Sequence, residues 1–79
     1  MITDLNLQHE LLKRALAATD NYLAIEKKAV AANEASTEML REFTIHYNNA
    51  WQALESLGVL DQHEEYMKSH LKVMWNFAN

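Results

Sequence analysis

The sequence predicts an all-α protein, an antiparallel three-helix bundle with a long first helix. Ala and Leu supply 22 of the 79 residues, whereas Val and Ile, which favour strands, supply six. The chain has no Pro and a single Gly, so it contains few residues that interrupt a helix. Apolar residues also recur at alternating intervals of four and three, the spacing of one helical face. We therefore expect residues 1–79 to form a single helical domain.

The first helix is predicted over about residues 4–32. Thr3 or Asp4 can accept hydrogen bonds from the free amides of its first turn. One apolar stripe follows the alternating spacing and consists of Leu11, Ala15, Ala18, Tyr22, Ile25, Ala29 and Ala32. A neighbouring stripe broadens it on one side with Leu12, Leu16, Leu23 and Val30. A break at Thr19–Asn21 is the alternative, because these side chains can hydrogen-bond to the local backbone.

The second helix is predicted over about residues 36–57. Asn33 can end the first helix and Ser36 can cap the second, which leaves a connection short enough to make the two helices antiparallel. The same alternating spacing then continues through Ser36, Leu40, Phe43, Tyr47, Ala50, Leu54 and Leu57.

The third helix is predicted over about residues 61–77. Gly58 stands where a left-handed residue is favoured after a helix, and Val59 can fold back on Leu54. Asp61 is the expected N-cap, with Glu64 in the capping-box position. Two apolar stripes run along this helix, so we expect it to have two neighbours. One contains Leu60, Met67, Leu71, Met74 and Ala78, and the other contains His63, Tyr66, His70, Val73 and Phe77.

The unequal helix lengths predict a homodimer, or a docking surface that another protein completes. At 1.5 Å per residue the first helix is about 43 Å long and extends about two turns beyond the others. Its main stripe stays apolar to both ends. A solitary chain would leave more of this apolar surface in water than a soluble monomer usually does. The predicted self-association residues are Leu11, Ala15, Ala18, Tyr22, Ile25 and Ala29.

Composition argues against several functional classes. A chain without Cys cannot form disulfides or a thiolate metal site. Its net charge of −4 disfavours binding to a phosphate backbone and suits the cytoplasm. No apolar run approaches the roughly 18 residues of a membrane span, so we expect no membrane association.

No catalytic, cofactor or metal site is predicted. His63 and His70 are seven residues apart, about 10 Å along a helix, too far to share one zinc ion. Glu42 and His46 can meet at i,i+4 as an ordinary surface pair. The chain lacks a glycine-rich loop or a nucleophile motif, so we expect no enzyme activity.

A turn at Leu57–Val59 between two helices also suggests a helix-turn-helix, but the helix after it carries Asp61, Glu64 and Glu65. These carboxylates would repel phosphates, so a dimeric nucleic-acid-binding regulator is an alternative rather than the preferred function. A purely structural oligomer subunit is the other alternative.

The preferred function is a small acidic protein-binding factor. Trp75 and Ile45 fall outside the predicted apolar faces, and Trp is enriched at the centres of protein interfaces. An acidic surface would suit a partner with a basic one. The predicted partner-binding residues are Trp75, Ile45, Glu38, Glu42, Asp61, Glu64 and Glu65. Such a factor would act as a regulator or inhibitor by occupying the surface of another macromolecule, of the kind found among bacterial or phage-encoded immunity and anti-defence proteins.

Overall fold

The computed structural model describes residues 4–78, which form three helices and contain no strand. Helix α1 spans Leu5–Ala32, α2 spans Thr37–Leu57 and α3 spans Leu60–Ala78. The long dimension of the bundle, 43 Å, is the length that 28 residues of α1 should have. The predicted all-α bundle of three helices is confirmed, while dimerisation stays a prediction.

Local hydrogen bonds set both ends of α1. The Asp4 carboxylate accepts from the backbone N–H groups of Asn6 and Leu7 at 2.9 and 3.2 Å, so Asp4 is the cap. Thr3, the alternative cap, lies outside the described residues. Asn33 adopts a left-handed conformation with φ of 54°, and the N–H of Glu34 donates to the Ala29 carbonyl at 3.1 Å.

Helix α1 continues through Thr19–Asn21 without a break. Ala18 and Tyr22, on either side of this segment, are buried in the core. Tertiary packing therefore holds the segment helical, although its side chains have weak helix propensity.

Ser36 and Gly58 bound α2 as predicted. The Ser36 hydroxyl accepts from the Met39 N–H at 3.1 Å. Gly58 has a φ of 77°, and the Val59 N–H donates to the Leu54 carbonyl at 3.1 Å, which closes the end of the helix.

The N-terminus of α3 differs from the prediction. The turn is complete at Val59, so α3 begins at Leu60 and Asp61 lies in its first turn instead of capping it. The Asp61 carboxylate still complements the positive end of the helix dipole. Glu64, expected in a capping box, instead accepts a hydrogen bond from the Lys68 ammonium at 3.1 Å.

The core lies between α1 and α2. These helices are antiparallel: the start of α1 packs on the end of α2 through Leu11, Ala15 and Ala53, and a short loop joins their other ends. At its centre the Tyr22 ring meets Phe43 edge-on at 5.3 Å and Tyr47 at 5.5 Å. The stripe predicted to self-associate fills this core. Leu11, Ala15, Ala18, Tyr22 and Ala29 are buried within the chain, and Ile25 is half-buried against them.

Helix α3 closes one side of this pair. Met67 and Met74 are fully buried in the same core, and Leu60, Leu71 and Phe77 pack around them. It runs parallel to α1, because its start lies near Leu12 and Leu16 while His70 reaches Glu26.

Candidate functional site

A cleft of about 230 Å³ opens between the N-terminal half of α1 and the first turns of α3. We call it the α1–α3 cleft. It is bounded by Leu12, Ala15, Leu16, Thr19, Tyr22, Leu54, Leu57, Val59, His63, Tyr66 and Met67. None of these residues is Asp, Glu, Lys or Arg, so the cleft is an apolar surface with a few hydroxyl and imidazole groups.

The floor of the cleft is buried and its walls are exposed. Ala15, Tyr22 and Met67 form the floor. Leu12, 48% exposed, and Leu16 form the α1 wall, and the Tyr66 ring stands opposite on α3. Large apolar side chains that face each other across a cleft while half in water are typical of a binding surface.

An exposed line of leucines extends this wall toward the start of the chain. Leu5 is 77% exposed and shares a helical face with Leu12 and Leu16, seven and eleven residues later. We call these three residues the α1 ridge. It belongs to the neighbouring stripe of α1, beside the stripe that packs on α2.

Tyr22 carries a buried polar group beneath the cleft. Its side chain is fully buried, and its hydroxyl has no hydrogen-bond partner among the described residues. Burial raises the pKa of Tyr22 to about 12, and the neighbouring Tyr66, Tyr47 and Glu26 add to the rise. A hydrogen bond from the Thr19 hydroxyl to the ionised oxygen would oppose part of the rise.

A histidine–carboxylate contact joins α1 and α3 beyond the cleft. With its Nδ1 protonated, His70 donates to the two Glu26 carboxylate oxygens at 2.7 and 2.9 Å. The side chains are only 13% exposed for Glu26 and 23% for His70. The His70 ring also packs against Tyr66 at 4.5 Å and Tyr22 at 6.2 Å. The contact therefore fixes the position of α3 beside the aromatic part of the cleft.

The predicted partner-binding residues lie outside the cleft lining, some on α2 and the others on α3. Ile45 and Trp75 are 48% and 49% exposed, outside the core as their spacing predicts. Glu38 and Glu42 line a shallow groove beside Lys28 of α1.

The remaining acidic residues of that set lie near the start of α3. Asp61 and Glu65 are exposed, and Glu64 is paired with Lys68. Glu42 and His46 meet at 3.8 Å, as their i,i+4 spacing predicts.

Sequence reasoning missed both the cleft and the Glu26–His70 contact. The signal for the contact was present, since Glu26 lies four residues after Tyr22 and three before Ala29, at the edge of a core stripe. An acidic residue there and a histidine on an apolar stripe of α3 are complementary. Their pairing requires the rotation of both helices, which the sequence does not give.

Among the described residues, no three His, Asp or Glu side chains converge into a group that could hold a metal ion. No helix within residues 4–78 combines the length and the apolar character needed to span a bilayer.

No protein-family model, curated protein sequence or solved structure matches this chain.

Proposed function

We propose that this chain is a protein-binding module that receives the apolar face of a partner's amphipathic helix in the α1–α3 cleft. By covering that helix, the module would act as a regulator or inhibitor of the protein that carries it. Its acidic composition suits a partner in the cytoplasm.

The observation that carries this proposal is the continuity of the α1 ridge with the cleft. Leu12 and Leu16 belong to both, and Leu5 lies two turns earlier on the same face of α1, so exposed leucines mark one face of this helix from Leu5 to the cleft. Leu5 and Leu16 are separated by about 16 Å along the helix axis, or three turns. A partner helix of three to four turns would match this length and pack between α1 and α3, as the fourth helix of a bundle does.

The charge distribution favours a particular partner chemistry. Since no formally charged residue bounds the cleft apart from His63 when protonated, the central contacts of the partner helix should be apolar. The net charge of −4 would attract basic residues beside that apolar face and speed association. We therefore propose an apolar helix with flanking Lys or Arg.

Affinity capture with three surface variants tests the proposal. Leu12→Glu places a carboxylate in the apolar interface and should reduce capture of the partner from a lysate of the source cells by roughly tenfold or more. Ile45→Glu makes the same change at an equally exposed position, 48% in both cases, and should leave capture unchanged. Trp75→Ala examines the alternative surface on α3. Loss of capture with Ile45→Glu or Trp75→Ala, and retention with Leu12→Glu, would contradict the proposal.

A second copy of this chain is the competing occupant, since each protomer carries both a ridge and a cleft. Sedimentation over a dilution series distinguishes the two occupants. If the cleft receives a partner protein, the chain alone should remain a monomer with full helicity at all concentrations. A dimer that dissociates on Leu12→Glu would assign the cleft to self-association instead of to a partner protein.

A further inference from the structure

We propose that the partner helix continues beyond the α1–α3 cleft, is about 25 residues long and runs antiparallel to α1 and α3. Its Lys or Arg residues lie at its C-terminal end, beside the start of α3, and its Asp or Glu residues lie at its N-terminal end. This inference rests on the proposed function and adds the length, the direction and the charge order of the partner helix.

Exposed apolar side chains continue from the cleft to the end of α1. Val30 is 56% exposed and lies 18 residues, or five complete turns, after Leu12, so the two share one face of the helix. Leu23 lies between them, half-buried against the core. On α3, Val73 is 37% exposed and lies two turns after Tyr66. The apolar surface beside the cleft therefore extends along both helices.

Most of the exposed apolar side chains lie on this one face of the bundle, which we call the α1–α3 face. Within residues 4–78, nine large apolar side chains are exposed, and six of them belong to it: Leu5, Leu12, Leu16, Val30, Tyr66 and Val73. Leu5 and Val30 are about 38 Å apart along the helix axis, the length of a helix of about 25 residues. Such a concentration of exposed apolar side chains is typical of a protein-binding surface.

The polar residues between the cleft and the end of α1 do not interrupt this face. Glu26 and His70 pair with each other at 2.7 Å and are only 13% and 23% exposed. They hold the two parallel helices at an offset of 44 positions, which brings Val73 level with Ala29. A helix seated in the cleft can therefore continue straight to Val30 and Val73.

The charge of α3 changes sign along the α1–α3 face. Asp61, Glu64 and Glu65 lie in the first two turns of α3, and Glu64 is paired with Lys68. No Asp or Glu follows Glu65 in the sequence, whereas Lys72 is exposed two turns later. The end of α3 that borders the cleft is therefore acidic, and the far end is basic.

Helix α1 strengthens the basic end. Lys27 is exposed three residues before Val30, the spacing of neighbours on a helix surface. At this end of the bundle, Lys27, Lys28 and Lys72 outnumber Glu34 of the following loop. Residues 4–16 carry two acidic and two basic side chains, so the acidic character of the cleft end comes from α3.

This charge order favours an antiparallel partner helix. Acidic residues are favoured in the first turn of a helix and basic residues in the last turn, because they complement the helix dipole. An antiparallel partner brings its first turn to the basic end of the face and its last turn to the acidic end. Its dipole also opposes those of α1 and α3, as in bundles whose neighbouring helices alternate in direction.

Photo-crosslinking with mapped attachment sites tests the length and the direction together. A photoreactive residue is placed at position 12 or position 30 of the full chain in the source cells, and the attached peptides are identified by mass spectrometry. Both positions should attach to the same protein. In the sequence of that protein, the site attached to position 30 should lie about 18 residues before the site attached to position 12.

The opposite order of the two sites, a spacing that differs by more than about two turns, or no adduct from position 30 would overturn the inference. An adduct from position 12 alone would leave the proposed function intact. The absence of an adduct from position 12 would contradict both.

A matched pair of charge reversals tests the basic end. Lys27→Glu should reduce the yield of the adduct from position 12 by roughly two- to fivefold, because the new carboxylate repels the acidic first turn of the partner helix. Arg41→Glu makes the same change of net charge at an exposed position on α2, away from the α1–α3 face, and should leave the yield unchanged. Equal yields from the two variants would show that the charge order is wrong.

Discussion

Tyr22 lies at the centre of the core and carries a buried hydroxyl. Its ring contacts Phe43 and Tyr47 on α2 and His70 on α3, so it joins all three helices. Its hydroxyl remains unpartnered within residues 4–78. The aromatic contacts and the buried area offset the unfavourable burial of one donor.

The pKa of Tyr22 predicts a loss of stability at high pH. Burial raises this pKa from 10.0 to about 12, so between these values the unfolded chain releases a proton that the folded chain retains. The raised pKa stabilises the folded chain by about 3 kcal/mol. This stabilisation is complete below pH 10 and is lost as the pH rises through 12. In urea unfolding, the free energy of unfolding should fall less between pH 9 and pH 11.5 for Tyr22→Phe than for the wild-type chain. An equal decrease in both would contradict the assignment to Tyr22.

The exposure of a residue was predictable from the sequence where it depends only on the residue's angular position on its helix. Ile45 and Trp75 are exposed because their angular positions lie off the apolar stripes. The Tyr22 hydroxyl was not predictable, since whether it finds a partner depends on atoms from three helices.

The helices differ in how firmly each is held. Helices α1 and α2 share the aromatic cluster and the Leu11–Ala53 contacts, whereas α3 adds Met67 and Met74 to this core and forms the Glu26–His70 contact with α1. Position-specific polar bonds therefore matter more for α3 than for the α1–α2 pair.

Two Glu–His contacts within residues 4–78 allow a matched test of this difference. Glu26→Ala removes an acceptor from a largely buried contact between helices and should lower the free energy of unfolding by about 1.5–3 kcal/mol. Glu42→Ala removes an exposed i,i+4 contact of 3.8 Å to His46 and should change it by less than about 0.5 kcal/mol. Chemical denaturation at pH 6 measures both. Equal effects would show that the Glu26–His70 contact does not hold α3.

Helix boundaries were predictable because caps are local. Ser36 and Gly58 act through groups three or four residues away, which the sequence displays directly. The start of α3 was displaced by one residue, since Gly58 and Val59 complete the turn without using Asp61 as a cap. The Glu26–His70 contact spans 44 positions, so local patterns place each residue at the edge of an apolar stripe but do not pair them.

For the whole molecule, the sequence predicted more apolar surface on α1 than one chain can cover, but it indicated a different stripe as the uncovered one. The Leu11–Ala29 stripe packs on α2 within the chain, and the neighbouring Leu12–Leu16 side remains exposed at the cleft. Both stripes are apolar in sequence. Which of them faces α2 depends on a rotation of α1 about its own axis, set by the aromatic residues of α2.

Site-specific photo-crosslinking in the source cells tests most directly whether this uncovered side binds a partner protein. A photoreactive residue at position 12 would touch a partner seated in the α1–α3 cleft, and the same residue at position 45 is an equally exposed control. We expect one dominant covalent adduct with another protein from position 12 and none from position 45. The absence of an adduct at position 12, or the same adduct from both positions, would contradict it.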